Sequence, residues 1–81
     1  MRVTIRLFAR LRDIAGASDL VRDVPAGSTV SAVWDGLVRE FPDFVSYTDA
    51  VSTAVNEEYA RIDSALSDGD EIAFLPPVSG G

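Results

Sequence analysis

The residue types that most often carry chemistry are absent from this 81-residue chain: it has no histidine and no cysteine, and its seven basic residues are all arginine. Without His, Cys or Lys, the commonest general bases and activated nucleophiles are gone, and only carboxylates, hydroxyls and tyrosines remain. The chain alone is therefore not expected to be an enzyme. The acidic run 68-DGDE-71 fails as a calcium loop begun at Asp63, because Ala65 stands where an oxygen ligand is wanted and Asp68 where the glycine belongs. It reads as a solvated turn, and no metal site is expected. Gly16, Gly27 and Gly36 do not have the spacing of a phosphate-binding loop. Ser79 has no base to activate it.

What remains is the segment 74-FLPPVSGG-81. At a glycine usage of about 7%, two final glycines arise by chance in roughly one sequence in 200, and their context adds to that. Pro76-Pro77 favour a stiff, extended exit from the fold. From Val78 to Gly81 an extended chain reaches on the order of 13 Å. Ser79 is small and Gly80 has no side chain, so this stretch can thread a channel closed to bulkier residues. The group delivered at the far end is the α-carboxylate of Gly81. A carboxylate is a poor electrophile until activated; adenylation with ATP makes a mixed anhydride that a thiol, persulfide or amine attacks. The segment reads as a carrier arm, against the plain alternative of a frayed end rich in small residues.

Such an arm needs a base. The length allows one domain, and 47% hydrophobic with 25% charged residues is an ordinary globular composition. Residues 2–8 alternate as a half-buried strand, with Val3, Ile5 and Leu7 on one face. Residues 9–16 change to helical spacing and end at Gly16, a turn or short helix. Residues 18–24 form a second, weaker strand closed by Pro25-Ala26-Gly27. Over 28–41, Val30, Val33, Trp34, Leu37, Val38 and Phe41 make a helical apolar stripe capped by Ser28 or Thr29 and stopped by Pro42. Trp34 belongs to that helix and the core. Residues 43–50 read as a loop with one helical turn at most. A strand follows at 51–55, a turn at 56–58, a short edge strand at 59–62 and a turn at Asp68-Gly69. The last strand, 71–75, is apolar enough for burial on both faces, hence central. One helix cannot cover both sides of a sheet, so the fold class is α+β: a mixed sheet with one main helix packed across one face. Setting the last strand parallel beside the first gives a β-grasp, ubiquitin-like arrangement. Residues 1–77 make that domain and residues 78–81 the tail.

The charge balance narrows the partners. Thirteen acids against seven bases give a net charge of −6, which argues against nucleic acid and against an anionic membrane. It favours a basic partner surface or simple solubility. Arg10 and Arg12 either grip an acidic partner group or lie solvated. Phe8, on the face opposite Leu7, either meets a partner or caps the core. The lack of cysteine, and a Met1-Arg2 start that runs straight into a strand, suit a cytoplasmic setting.

The segments 7-LFARLRDIAG-16, 27-GSTVSAVWDGL-37, 54-AVNEEY-59 and above all 66-LSDGDEIAFLPPVSGG-81 resemble the MoaD/ThiS family of ubiquitin-like sulfur carriers, most closely its molybdopterin synthase branch. The resemblance covers nearly the whole chain. It implies that Gly81 is adenylated by an E1-like enzyme using ATP and converted to a thiocarboxylate by a sulfur donor (a persulfide or sulfurtransferase). It further implies insertion into the large subunit of molybdopterin synthase, within a heterotetramer. There sulfur would pass to cyclic pyranopterin monophosphate to build the dithiolene of molybdopterin. By the same resemblance Gly81 is the reactive terminus, Ser79 and Gly80 give it passage, and no cofactor is bound. Phe8, Leu75, Pro76, Pro77 and Val78 would face the partner, with Arg12 a polar anchor. Related acceptor pathways (cysteine, thiamine or tRNA thiolation) and a ubiquitin-like protein modifier use the same tail.

Overall fold

The computed structural model describes residues 1–77. Val78, Ser79, Gly80 and Gly81, which carry the expected reactive and passage roles, lie outside the described residues.

Alternation in RVTIRL makes β1 (Arg2–Leu7), with Val3, Ile5 and Leu7 buried. A short helix α1 (Ala9–Ala15) buries Leu11 and stops at Gly16, whose φ of 73° is the left-handed conformation that a glycine adopts without a Cβ clash. Strand β2 (Asp19–Asp23) returns antiparallel to β1. The apolar stripe becomes α2 (Val30–Glu40), burying Val30, Val33, Trp34 and Leu37. Its N-cap is Thr29, whose side-chain oxygen accepts from the Ala32 N–H at 3.2 Å. Two further first-turn N–H groups are satisfied from a distance: Val30 donates to the Ser64 carbonyl at 3.0 Å and Ser31 to that of Ile62 at 2.7 Å. Residues 60–66 thus run beneath the start of α2, and buried Leu66 seals the core there.

After Pro42 the chain forms a 3₁₀ helix over Pro42–Tyr47, more regular than the expected loop. Its reason is Phe44, fully buried and stacked on Trp34 (ring centroids 5.4 Å apart) and on Phe41 (5.3 Å). Trp34 also lies 5.0 Å from Phe74, and its indole N–H donates to the Thr48 hydroxyl at 3.1 Å, so its one polar atom has a partner.

Strand β3 (Ser52–Val55) leads through a tight turn into β4 (Glu58–Tyr59). The short edge strand therefore starts within the expected turn and ends before Ile62. Asn56 and Glu57 both take positive φ, 51° and 71°, which closes a two-residue hairpin and pairs Val55 with Glu58. The last strand is β5 (Glu71–Leu75). The sheet order is β2-β1-β5-β3-β4, with β5 parallel to β1 and antiparallel to β3. This is the expected mixed sheet, with β5 central and α2 across one face. Burial of β5 on both faces is not found: Ile72 and Phe74 are buried, while Glu71, Ala73 and Leu75 are half-buried. Helix α2 covers only the inner face, and no second layer lies over the other among the described residues. No described helix is long and apolar enough to cross a membrane.

Gly36 lies inside α2, where a Cβ would come no nearer than 3.9 Å to any neighbour, the Arg39 Nη2. Gly36→Ala is expected to raise stability by about 0.5–1 kcal/mol. The urea midpoint should move up with an unchanged slope; a lower midpoint would mean that position 36 is not ordinary helix.

Candidate partner-binding site at the strand ends

Parallel pairing of β1 with β5 places Leu7 beside Phe74, so Phe8, just past β1, and Leu75, the last residue of β5, stand together at the strand ends. The alternation that turns Leu7 and Phe74 into the core sends Phe8 and Leu75 to the outer face. Phe8 lies outside the core cluster and is half-buried, with the Arg6 guanidinium 5.7 Å from its ring centroid. Phe8 therefore does not cap the core. The backbone then turns sharply through Ala9, at a φ of 50°.

Phe8, Leu75, Pro76 and Pro77, four of the positions expected to face a partner, come together, and Ala9, Arg10 and Tyr47 complete a surface groove of about 580 Å3. Arg12 does not line it. It is exposed on α1, and Arg10 occupies the rim instead. Neither arginine makes an ion pair among the described residues, whereas Arg6 is held by Asp19 at 3.4 Å and Glu71 at 3.5 Å. Arg10 can therefore offer an uncompensated cation beside an apolar groove. Tyr47 was not singled out in the sequence because it falls in the segment without clear periodicity; the 3₁₀ helix swings it toward Pro76. Next to the groove the outer sheet face carries small side chains at Ala73 and Ala54, then Tyr59, 89% exposed. Val78, Ser79, Gly80 and Gly81 follow directly from the groove in sequence but lie outside the described residues.

The acidic run holds β5 in place. Asp68 accepts from the Arg2 N–H at 2.7 Å, and the Gly69 N–H donates to the Arg2 carbonyl at 2.7 Å. Asp70 accepts from the Ser67 N–H at 2.8 Å and from the Asn56 amide at 3.0 Å, while the Asn56 side-chain oxygen accepts from the Glu71 N–H at 3.0 Å. Asp70 satisfies a turn N–H, Asp68 ties the turn to the start of β1, and the Glu71 carboxylate pairs with Arg6 instead, which agrees with the turn reading. The Ser67 N–H first, and the Asn56 amide second, hold the Asp70 carboxyl below its ordinary value.

The chain was compared with known proteins. The ThiS family model matches residues 5–81. This chain belongs to the ThiS family. The molybdopterin synthase sulfur carrier subunit of Arabidopsis thaliana is 38% identical over 81 residues, covering 100% of this chain and 84% of that protein. Small archaeal modifier protein 1 of Haloferax volcanii is 37% identical over 84 residues, covering 94% of this chain and 97% of the relative. The crystal structure of that modifier superposes with a TM-score of 0.89 at 34% identity, covering 100% of both chains. The ThiS chain described here thus has the β-grasp fold of its relatives, with the strand-end groove placed where its C-terminal segment begins.

The Asp70 contacts make one contribution to stability depend on pH. A carboxyl with a lowered folded value stabilises the fold above its unfolded value of about 3.9 and loses that contribution as pH falls through the lower, folded one. Asp70→Asn is expected to flatten this part of the acid unfolding curve while lowering stability at neutral pH. Melting temperatures of both forms between pH 2 and pH 7 test it; parallel curves would refute the assignment.

Proposed function

We propose that this chain is a sulfur carrier protein that serves molybdopterin synthase. The carboxylate of Gly81 attacks the α-phosphorus of ATP on an E1-like enzyme and pyrophosphate leaves. The outer sulfur of a persulfide on the sulfur donor then takes the place of AMP at the acyl carbon, giving an acyl persulfide. A thiol attacks the donor-side sulfur and breaks the S–S bond, so that a C-terminal thiocarboxylate leaves and the donor keeps a disulfide. In the large synthase subunit that sulfur passes to cyclic pyranopterin monophosphate. The observation that carries this reading is the apolar groove from which the Gly-Gly segment departs, on a chain of the ThiS family with no His, Cys or Lys of its own. The catalytic groups then belong to the partners, and this chain contributes a docking face and an arm. The curated likeness to sulfur carrier subunits supports molybdopterin synthase as the acceptor.

A second reading, a protein modifier joined through Gly81 to amines of other proteins, is favoured by the likeness to the archaeal modifier. Both readings share the adenylate and differ in what attacks it.

Intact mass after incubation with ATP, a sulfur donor and the host's E1-like enzyme distinguishes them. The expected gain equals one oxygen exchanged for one sulfur, and it should vanish when Gly81 is deleted while the melting temperature stays unchanged. Widespread isopeptide conjugates in cells would favour the modifier instead. Docking has its own check: Phe8→Ala should weaken binding to the large subunit about tenfold or more by calorimetry, as expected for a central aromatic anchor. Unchanged affinity would move the interface elsewhere.

A further inference from the structure

A second groove, of about 390 Å3, runs between β2 and α2 and shares no lining residue with the first. Strand β2 is the margin of the sheet. In its ladder with β1, Met1 and Val24 exchange bonds at 2.8 Å in both directions, and Leu7 donates to the Ser18 carbonyl at 2.8 Å. Bonded and non-bonded pairs alternate along an antiparallel ladder. The N–H and C=O groups of Leu20 and Arg22 therefore face β1, and those of Asp19, Val21 and Asp23 face outward from the sheet. An edge of this kind is a template for another strand.

The groove beside that edge is lined by Ile5, Val24, Val33 and Leu37, with Gly36 on its helical wall. Glycine is a poor helix residue, and a Cβ at position 36 would meet nothing closer than 3.9 Å. Packing therefore does not require glycine here; the missing side chain leaves the groove deep. Along the edge, Val21 is 52% exposed and is flanked by Asp19 and Asp23 on the same face. Asp23 pairs with Arg2 at 3.2 Å and Asp19 shares Arg6 with Glu71, all on exposed surfaces where such pairs exchange readily for others. The chain as a whole carries a charge of −6.

We propose that the β2 edge and this groove form a docking site for an extended strand of a partner protein, with basic residues alternating with apolar ones. Its backbone pairs with Asp19, Val21 and Asp23. Its inward side chains enter the groove over Gly36, and its outward basic residues lie against the two aspartates. A second copy of this chain is a poor occupant: antiparallel self-pairing about Val21 sets Asp19 opposite Asp23 of the other copy, like charge against like. The edge has a guard in the free chain. Arg22 Nη1 donates to the Val21 carbonyl at 3.0 Å, while its Nε and Nη2 are held by Glu40 at 3.3 and 2.5 Å. That carbonyl keeps a second lone pair for the incoming strand.

The test is an NMR titration of the full ¹⁵N-labelled chain with the blocked peptide Lys-Ile-Val-Ile-Lys. The proposal expects shifts confined to β2 and α2, and slower exchange of the Val21 amide proton with those of Leu20 and Arg22 unchanged. It expects Gly36→Leu, folded by its own spectrum, to lose binding, and Glu-Ile-Val-Ile-Glu to bind about tenfold more weakly. Four results would overturn it: no shifts at millimolar peptide, shifts only around Phe8 and Leu75, equal binding of the acidic peptide, or protection of the Val21 amide that grows with protein concentration alone. None of these readouts involves Gly81, so the outcome is independent of the sulfur-carrier reading.

Discussion

The parallel ladder between β1 and β5 is the contact on which the other features depend. It joins the two ends of the described chain, pairing Ile5 with Ile72 and Leu7 with Phe74, all of them buried. Parallel neighbours cannot be joined by a tight turn, so everything from α1 to the Asp68-Gly69 turn is the crossover that makes this pairing possible. Helix α2 lies in that crossover and supplies Trp34, which packs on Phe74 from above and on Phe44 from the side. A slip of β5 by one residue would exchange Ile72 and Phe74 in the core for Glu71 and Ala73 in one direction, or for Ala73 and Leu75 in the other. The carboxylates of Asp68 and Asp70 hold the start of β5 against that slip, through Arg2 and Ser67.

The same ladder fixes the surface at the strand ends. Two adjacent strands finish side by side, and Phe8 and Leu75 at their ends lie on the outer face. Phe8 and Leu75 cannot enter the core without breaking alternation, and the two prolines after Leu75 offer no N–H to extend the ladder. The result is an apolar groove on the uncovered face of a one-helix sheet, a surface that is costly to leave in water and natural to cover with a partner.

Charge is distributed with the same logic. Arg2, Arg6, Arg22 and Arg61 are engaged with acids of their own chain, on exposed surfaces where each pair contributes about 1 kcal/mol or less. Their part is to organise the sheet margins rather than to hold the fold. Arg10 is left for the groove, and the excess of carboxylates covers the rest of the surface, which keeps copies of a small protein with an open sheet edge from pairing with one another.

Local pattern was enough for several elements. The stripe from Val30 to Phe41, the alternation of Val3, Ile5 and Leu7, and the Pro-Pro break before the glycines are each visible because short-range sterics and one buried face dictate them. The β-grasp order also followed, since one helix and an apolar final strand leave few other arrangements. Other features depend on residues distant in sequence. Asn56-Glu57 lacks the glycine that marks a two-residue hairpin, and it adopts positive φ because Asn56 is tied to Asp70 and Glu71 from the next turn. Phe44 gives residues 42–47 a 3₁₀ helix only because Trp34 and Phe41 are there to stack on it. Arg10 rather than Arg12 reaches the groove because α1 starts at Ala9, directly beside it, and Tyr47 joins it from a segment with no readable period. Periodicity reports which face of an element is buried, but which elements share a corner is decided by packing, and packing is a property of pairs that no single window of sequence contains.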